Sequence, residues 1–420
     1  MPTYWAPLLH IYQPPTQDAR ILKEIDKECY KPLFSILEEH DNAKFTLNIN
    51  GTLIEMLNEF GLEDTIDLIK NLVSDSKLEV MGTANFHPIL PLIPKKEAFH
   101  QIQMNENINR KVFGNSWERK GFFPPEMAIS SKIAKYVREI GYDWVIQSGI
   151  AYPGEVNKLP WPYDIIYKSP NGLKLFFRDD ILSNKISFKN ITAKEFTKEL
   201  KKVHKDENQH YKNNSYIVTA MDGETFGHHI KNYERTFIGK VLEIINDDKE
   251  IEITFISMLH HYFPISDIKI IPQESSWSTT ENDIKQNLPY PLWNNSENKI
   301  HKFYWKIVKS LNNLMNLADT LDLTKEWNIQ NYYNTARWFY DRSICSDTTW
   351  WANPERGTWS PNMIYKGVVL LMKAALNAHL ALIHAKRDDS EGYYDSISYY
   401  HGLLMMEISV FAQRHVSFAS

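Results

Sequence analysis

The sequence predicts an α/β fold, with a βα-barrel-like domain over residues 1–270 followed by a loop and a helical region over 271–420. Three observations carry that expectation. Short β-branched or aromatic runs alternate with helical ones through the first part, as in successive βα units. From Ile300 onward apolar residues recur at helical period instead. Between the two parts there is no flexible linker, so the helical region is expected to pack on the barrel-like domain.

Taken in order, strands are expected at Trp5–Ile11, Lys44–Ile49, Leu78–Gly82, Gly121–Phe123, Trp144–Gln147, Leu175–Phe177, Ser215–Thr219 and Ile253–Ile256. Ser131 is placed to cap the helix KIAKYVREI, which Gly141 ends in the left-handed conformation that glycine favours. Thr192 is placed to cap AKEFTKELKKVHK. The stretch IPQESSWSTTENDIKQNLPYPLWNN, rich in turn formers, reads as a long ordered loop. Three helical runs follow, beginning at Ile300, Met363 and Tyr393.

Composition narrows the function classes. Lys and Arg number 47 against 52 Asp and Glu, a net charge of −5 that offers no basic footprint for nucleic acid. Cys29 and Cys345 give neither a disulfide framework nor a thiolate cluster, which points to a reducing compartment. The N-terminal MPTYWAPLLHIYQPP lacks the features of a signal peptide. The most apolar stretch, Gly367–Ala385, is broken by Lys373, Asn377, His379 and His384, and reads as a buried amphipathic helix and not a membrane span. A soluble, cytoplasmic protein without a membrane or nucleic-acid partner is expected, and homo-oligomerisation is left open.

Polar and acidic residues gather just after the expected strands. His10 and Gln13 follow the first, Asn48 and Asn50 close the second, and His87 lies beyond the third. Glu126 follows the fourth, Asp179 and Asp180 follow FFR, and Asp222 and Glu224 follow YIVTAM. In βα barrels the C-terminal strand ends form the active-site mouth. Pro124 and Pro125 stiffen the backbone before Glu126. In FFRDD, Arg178 holds a neighbouring carboxylate ionised, so one acid is expected to pair with it while the other faces the site. The cluster MDGETFGHH raises the question of a metal, but no HxxxH or HExxH spacing occurs, and adjacent His228 and His229 point apart in most backbones. Aromatics reach 13%, with 12 Trp and 22 Tyr. Most serve a core; Trp277, Trp350, Trp351 and Trp359, in polar loops, are the candidates for stacking on sugar rings.

These residues fall into five motifs whose order resembles glycoside hydrolase family 57. HIYQP at 10–14 is similar to the family's HxHQP, KLEVMGTANFHPILP at 77–91 to its second motif, and FPPE at 123–126 to its WxPE. FRDDILS at 177–183 is similar to FRDxxLS, and MDGETFG at 221–227 to the fifth. SSWSTTENDI, PYPLW and WWANPERGTWSPNMI resemble sequences that follow the barrel in that family. The resemblance implies an incomplete (β/α)7 barrel with a helical C-terminal region, acting on α-glucans with retention, amylase-like, and needing no cofactor or metal. It implies Glu126 as nucleophile and Asp179 as general acid/base, with His10, Glu79, His87, Asp222 and Glu224 lining the sugar pocket, and Gln13 and Arg178 within the same motifs. Tyr12 and Phe123 depart from the family pattern, replacing a His and a Trp where a bound sugar is expected.

Retention requires two displacements and places the two carboxyl groups roughly 5–5.5 Å apart. Asp179 must keep a proton, so Arg178 is expected to point away or to pair with Asp180. The alternatives are a 4-α-glucanotransferase or another α-glycosidase of the same family, a metal-dependent polysaccharide deacetylase, or an inactive glucan-binding protein.

Overall fold

The computed structural model describes residues 2–154, 161–203 and 214–416, and divides into two compact units. The first comprises residues 1–13, 17–85 and 90–281; the second comprises 14–16, 86–89 and 282–420.

Strands of the first unit form two five-stranded sheets. β1 (Thr3–Ile11) lies parallel to β2 (Phe45–Ile49), β8 (Ser215–Asp222) and β9 (Ile251–Ile253), and β2 continues to β3 (Leu78–Val80). The second sheet runs β10 (Ile265–Lys269), β6 (Ile166–Lys168), β7 (Lys174–Phe177), β5 (Trp144–Gln147), β4 (Gly121–Phe122). Only β6 and β7 pair antiparallel among these strands. No closed barrel is present as one continuous ladder among the described residues. Isolated bonds join the sheets instead: Gly82 N donates to Gly121 O at 2.9 Å and Phe123 N to Gly82 O at 2.8 Å. Across the other gap Asp179 N donates to Val218 O at 2.8 Å.

All nine residues of β1 are buried, as both faces of a parallel sheet are when covered. Alternation then sorts them. Trp5, Leu9 and Ile11 join a core with Leu33, Phe34, Phe45 and Phe237. Tyr4, Ala6 and Leu8 join a second core with Met81, Trp144, Ile146, Phe176, Val218 and Ala220. Continuing that second series by two residues sets His10 on the face of Leu8.

Several expected boundaries move. The strand expected at Ile253–Ile256 is β9, which ends at Ile253; β6 and β10, the latter mostly exposed, lie outside the expected strands. Ser130 rather than Ser131 caps the helix Ser131–Ile140, its Oγ accepting from Ile133 N at 3.2 Å, and Gly141 ends it at φ 107°. Thr192 caps Ala193–Lys202 in a reciprocal capping box with Glu195. The continuation at His204 lies outside the described residues. The long loop holds one short helix, Glu281–Lys285.

The second unit is helical. Its main helices are α1 (Lys299–Ala318), α2 (Trp327–Ser343), α3 (Pro361–His384) and α4 (Glu391–Val416); α2 was not anticipated from its mixed aromatic and amide composition. By length and composition alone α3 would cross a membrane. It buries Ile364, Val368, Leu371, Ala375, Ala378 and Leu382, one stripe at helical spacing, and packs along α2 and α1. The small residues in that stripe allow close approach: a Cβ added at Gly367 would sit 1.8 Å from Thr348 Oγ1.

Candidate active site

The first unit gathers its polar groups at the C-terminal ends of the strands, and β1 sets the register. His10 stands beside Asn48 of β2 on one side and Asp222 of β8 on the other. His10 Nδ1 lies 2.5 Å from Asn48 Oδ1; since the amide oxygen only accepts, this contact selects the tautomer protonated at Nδ1. Burial lowers the His10 pKa to about 4, so the ring is neutral near pH 7. Phe123 stacks on it at 4.7 Å and 8°, Tyr12 at 6.2 Å and 25°, and Trp277 meets it edge-on at 5.6 Å. Both family departures therefore pack on His10. Phe123 is fully buried beneath the imidazole.

Glu126 follows the Pro pair at φ 58° and ψ 19°, a left-handed conformation that costs a non-glycine residue of order 1–2 kcal/mol. Its surroundings hold it there. Trp277 N donates to Glu126 O at 3.1 Å, and Ile129 N donates to Ser275 O at 2.9 Å. Ahead of the turn, Thr83 Oγ1 donates to Phe123 O at 2.8 Å, while Thr83 N donates to the buried Asn105 Oδ1 at 3.1 Å. The side chain of Trp277 then donates Nε1–H to Glu126 Oε2 at 2.8 Å, which favours the carboxylate. Trp277 thus binds Glu126 through its indole N–H, a role distinct from stacking on sugar.

Two neighbouring acids separate by environment. Asp180 Oδ1 accepts from Arg178 Nη1 at 2.7 Å, and Asp180 Oδ2 accepts from Ser148 Oγ and Ile150 N. The remaining Arg178 nitrogens donate to Ala220 O and Asn184 Oδ1, so the guanidinium is held by protein groups. Asp179 caps the helix Asp180–Lys189, its Oδ1 accepting from Leu182 N at 2.8 Å and its Oδ2 from Tyr163 at 3.2 Å. Burial nevertheless raises its pKa, against those hydrogen bonds and Arg178.

Beyond β8, burial pushes Asp222 up to about 6. Glu224 is pushed to about 7, first by burial and then by the Asp222 charge. Glu224 Oε1 accepts from Tyr30 and, at 3.1 Å, from Gln13 Nε2. Tyr30 belongs to a π-helical turn, Asp26–Tyr30, that also carries Cys29, whose Sγ donates to Gly223 O. A Cβ at Gly227 would fall 2.0 Å from Glu28 O, so this turn and the loop after β8 approach as closely as glycine permits. Glu79 stands apart from this cluster. It pairs with Thr46 near the strand starts, where its Oε2 accepts from Ser257 at 2.6 Å and from Lys120 at 3.4 Å. Among the described residues no group of three His, Cys, Asp or Glu converges as metal ligands would.

A sequence profile of glycosyl hydrolase family 57 matches residues 4–271. The chain belongs to that family. It is 26% identical over 286 residues to an α-amylase of Pyrococcus abyssi, covering 65% of this chain and 41% of that one. It is 24% identical over 309 residues to a 4-α-glucanotransferase of Thermococcus litoralis, covering 70% and 45%. This family 57 chain thus spans less than half the length of these two curated relatives. The crystal structure of a branching enzyme from Pyrococcus horikoshii shares its fold at TM-score 0.73 and 15% identity, over 95% of this chain and 94% of that one.

Four sequence candidates belong to the second unit of the family 57 chain. His87, at φ 56°, has Nδ1 3.0 Å from Ser346 Oγ, and its carbonyl accepts from Ser346 N. Trp350 and Trp351 meet edge to face at 4.6 Å. Trp359 pairs with Ala352 across a two-residue ladder turned at Gly357, φ 85°. Tyr163, Tyr30 and Thr83 were missed as site residues. Each acts through hydrogen bonds to partners distant in the chain, for which local sequence holds no signal.

Proposed function

We propose that this family 57 chain is a retaining glycosidase of α-1,4-linked glucans, with Glu126 as nucleophile and Asp179 as general acid/base. The observation that carries the reading is the opposite treatment of the two carboxyls. Glu126 takes an indole N–H that favours its charge, whereas burial favours the proton on Asp179. Ionised Glu126 attacks the anomeric carbon while Asp179 protonates the leaving oxygen; Asp179 then removes a proton from water or a sugar hydroxyl, which displaces Glu126. His10, Gln13, Asp222 and Glu224 bind sugar hydroxyls along the same edge, and Arg178 keeps Asp180 from competing with Asp179.

The incomplete (β/α)7 barrel is part of this reading. The order β1-β2-β3-β4-β5-β7-β8 returns to β1, with the two gaps crossed by the Gly82 and Asp179 backbone bonds. Those sparse seams support a barrel whose sheets are joined by single backbone bonds at Phe123 and Asp179, next to the proposed reacting groups. Amylase and glucanotransferase names among the relatives support the substrate class. A cytoplasmic setting remains part of the reading, supported by two buried free cysteines.

The test is incubation of the purified protein with maltoheptaose beside Glu126→Gln, with products separated by chromatography. Shorter products from wild type and none from the variant are expected; longer ones as well would identify transfer. Intact maltoheptaose with wild type would sink the α-glucan reading.

A further inference from the structure

We propose that the outer face of α2 is a second glucan-binding surface, built from Trp327, Asn331, Asn334 and Trp338. At 3.6 residues per turn these four positions fall within an arc of about 60°, and the two indoles stand about 16 Å apart along the axis. All four are exposed, Trp327 at 73% and Trp338 at 49%. The opposite face, with Ile329, Ala336 and Tyr340, is the one α2 buries, so the stripe is the solvent face of a well-seated helix. Trp327, Asn331 and Asn334 have no side-chain partner among the described residues.

The chemistry selects the ligand. A hot-spot indole in a protein interface sits in an apolar, desolvated patch. Here amides lie between the indoles, and no charged or aliphatic residue interrupts the four positions. Indole faces suit the C–H faces of sugar rings, and each amide offers donors and an acceptor to ring hydroxyls. Repetition of that pair along an extended face calls for a ligand that itself repeats, which is an α-glucan chain. The choice of glucan rests on the proposed function. Trp338 is also pre-set: the Arg342 guanidinium lies over its ring at 4.0 Å and over Phe86 at 4.4 Å, and the Phe339 ring meets it edge to face at 4.8 Å, so the indole is held in place while half of it stays exposed.

Native gels cast with glycogen test this. Wild type is expected to be retarded, and Trp327→Ala/Trp338→Ala to bind about tenfold more weakly, as truncation of anchoring indoles does. Cleavage of short maltooligosaccharides by that variant stays unchanged. Asn331→Ala/Asn334→Ala is expected to fall between the two, and matched thermal melts confirm folding. Equal retardation of wild type and the Trp variant overturns the proposal, as does a wild type that migrates unretarded. A Trp variant that elutes as a smaller assembly than wild type also overturns it, because the stripe is then a contact between copies. Retardation that depends on the two Trp in a protein that cleaves no glucan leaves this surface standing and removes the hydrolase reading alone.

Discussion

The two edges of the strands in the first unit each bury carboxylates with raised pKa, yet they are built differently. At the strand starts Glu79 is raised by burial and then partly relieved by Ser257 and the Lys120 ammonium, a local pair that closes on itself. At the strand ends Glu224 takes only neutral donors and its acidic neighbour raises it further, while the Arg178 charge relieves Asp222 only in part. A desolvated acid with a cationic partner is a structural pair; a desolvated acid beside another acid stores free energy that a bound ligand can use. Burial alone does not distinguish the edges. Between Glu79 and Glu224, the sign of the neighbouring charge does.

The comparison is broken most forcefully at Asp179. Asp179→Asn is expected to lower kcat on maltoheptaose by about 10²–10⁴-fold, the usual contribution of a general acid, while sparing an aryl glycoside whose leaving group needs no proton. Steady-state rates on the two substrates check this, and equal losses on both would remove Asp179 from the acid role.

The next effect is on stability. Glu224 has a folded pKa of about 7, above its ordinary carboxylate value, so its share of stability is full at low pH and is lost as pH rises through about 7. Glu224→Gln is expected to flatten that fall, which amounts to roughly 3 kcal/mol for a shift of this size. Denaturant titrations at pH 5 and pH 8 measure it. Identical slopes for wild type and variant would contradict the assignment.

Smaller shifts sharpen the picture. The alkaline limb of the activity profile is expected to follow Asp179, with rate lost as pH rises through its raised pKa. Tyr163→Phe removes a bond to the ionised form, so the limb should move to higher pH by a fraction of a unit, as a kcat/KM profile would show. Glu79→Gln should lower the thermal midpoint and leave kcat on maltoheptaose comparable, because its partners lie at the strand starts. A large loss of kcat with an unchanged melt would place Glu79 at the sugar after all.

Much of this was legible in the chain. The alternating βα pattern gave most strand positions, because buried parallel strands need apolar residues on both faces and say so locally. Caps such as Thr192 with Glu195 and the Gly141 terminus were legible for the same reason, since their partners lie within four residues. Edge strands were not: β10 is mostly exposed and carries little apolar signal. Helix α2 was hidden because its outer face is aromatic and amide, where a plain amphipathic helix would be charged.

Within the candidate site, residue types and their order along the chain follow from the sequence: carboxylates after strands, a Pro-stiffened Glu126, an Arg beside two acids. Which of those acids pairs with Arg178, which donor reaches Glu126, and which residues meet His10 depended on tertiary structure. Trp277 lies 151 residues beyond Glu126, and Tyr30 lies 194 before Glu224. Sequence fixes what a side chain can donate or accept; only the packing of distant strands and loops brings donor and acceptor within hydrogen-bond range, and burial there sets which of them keeps its proton.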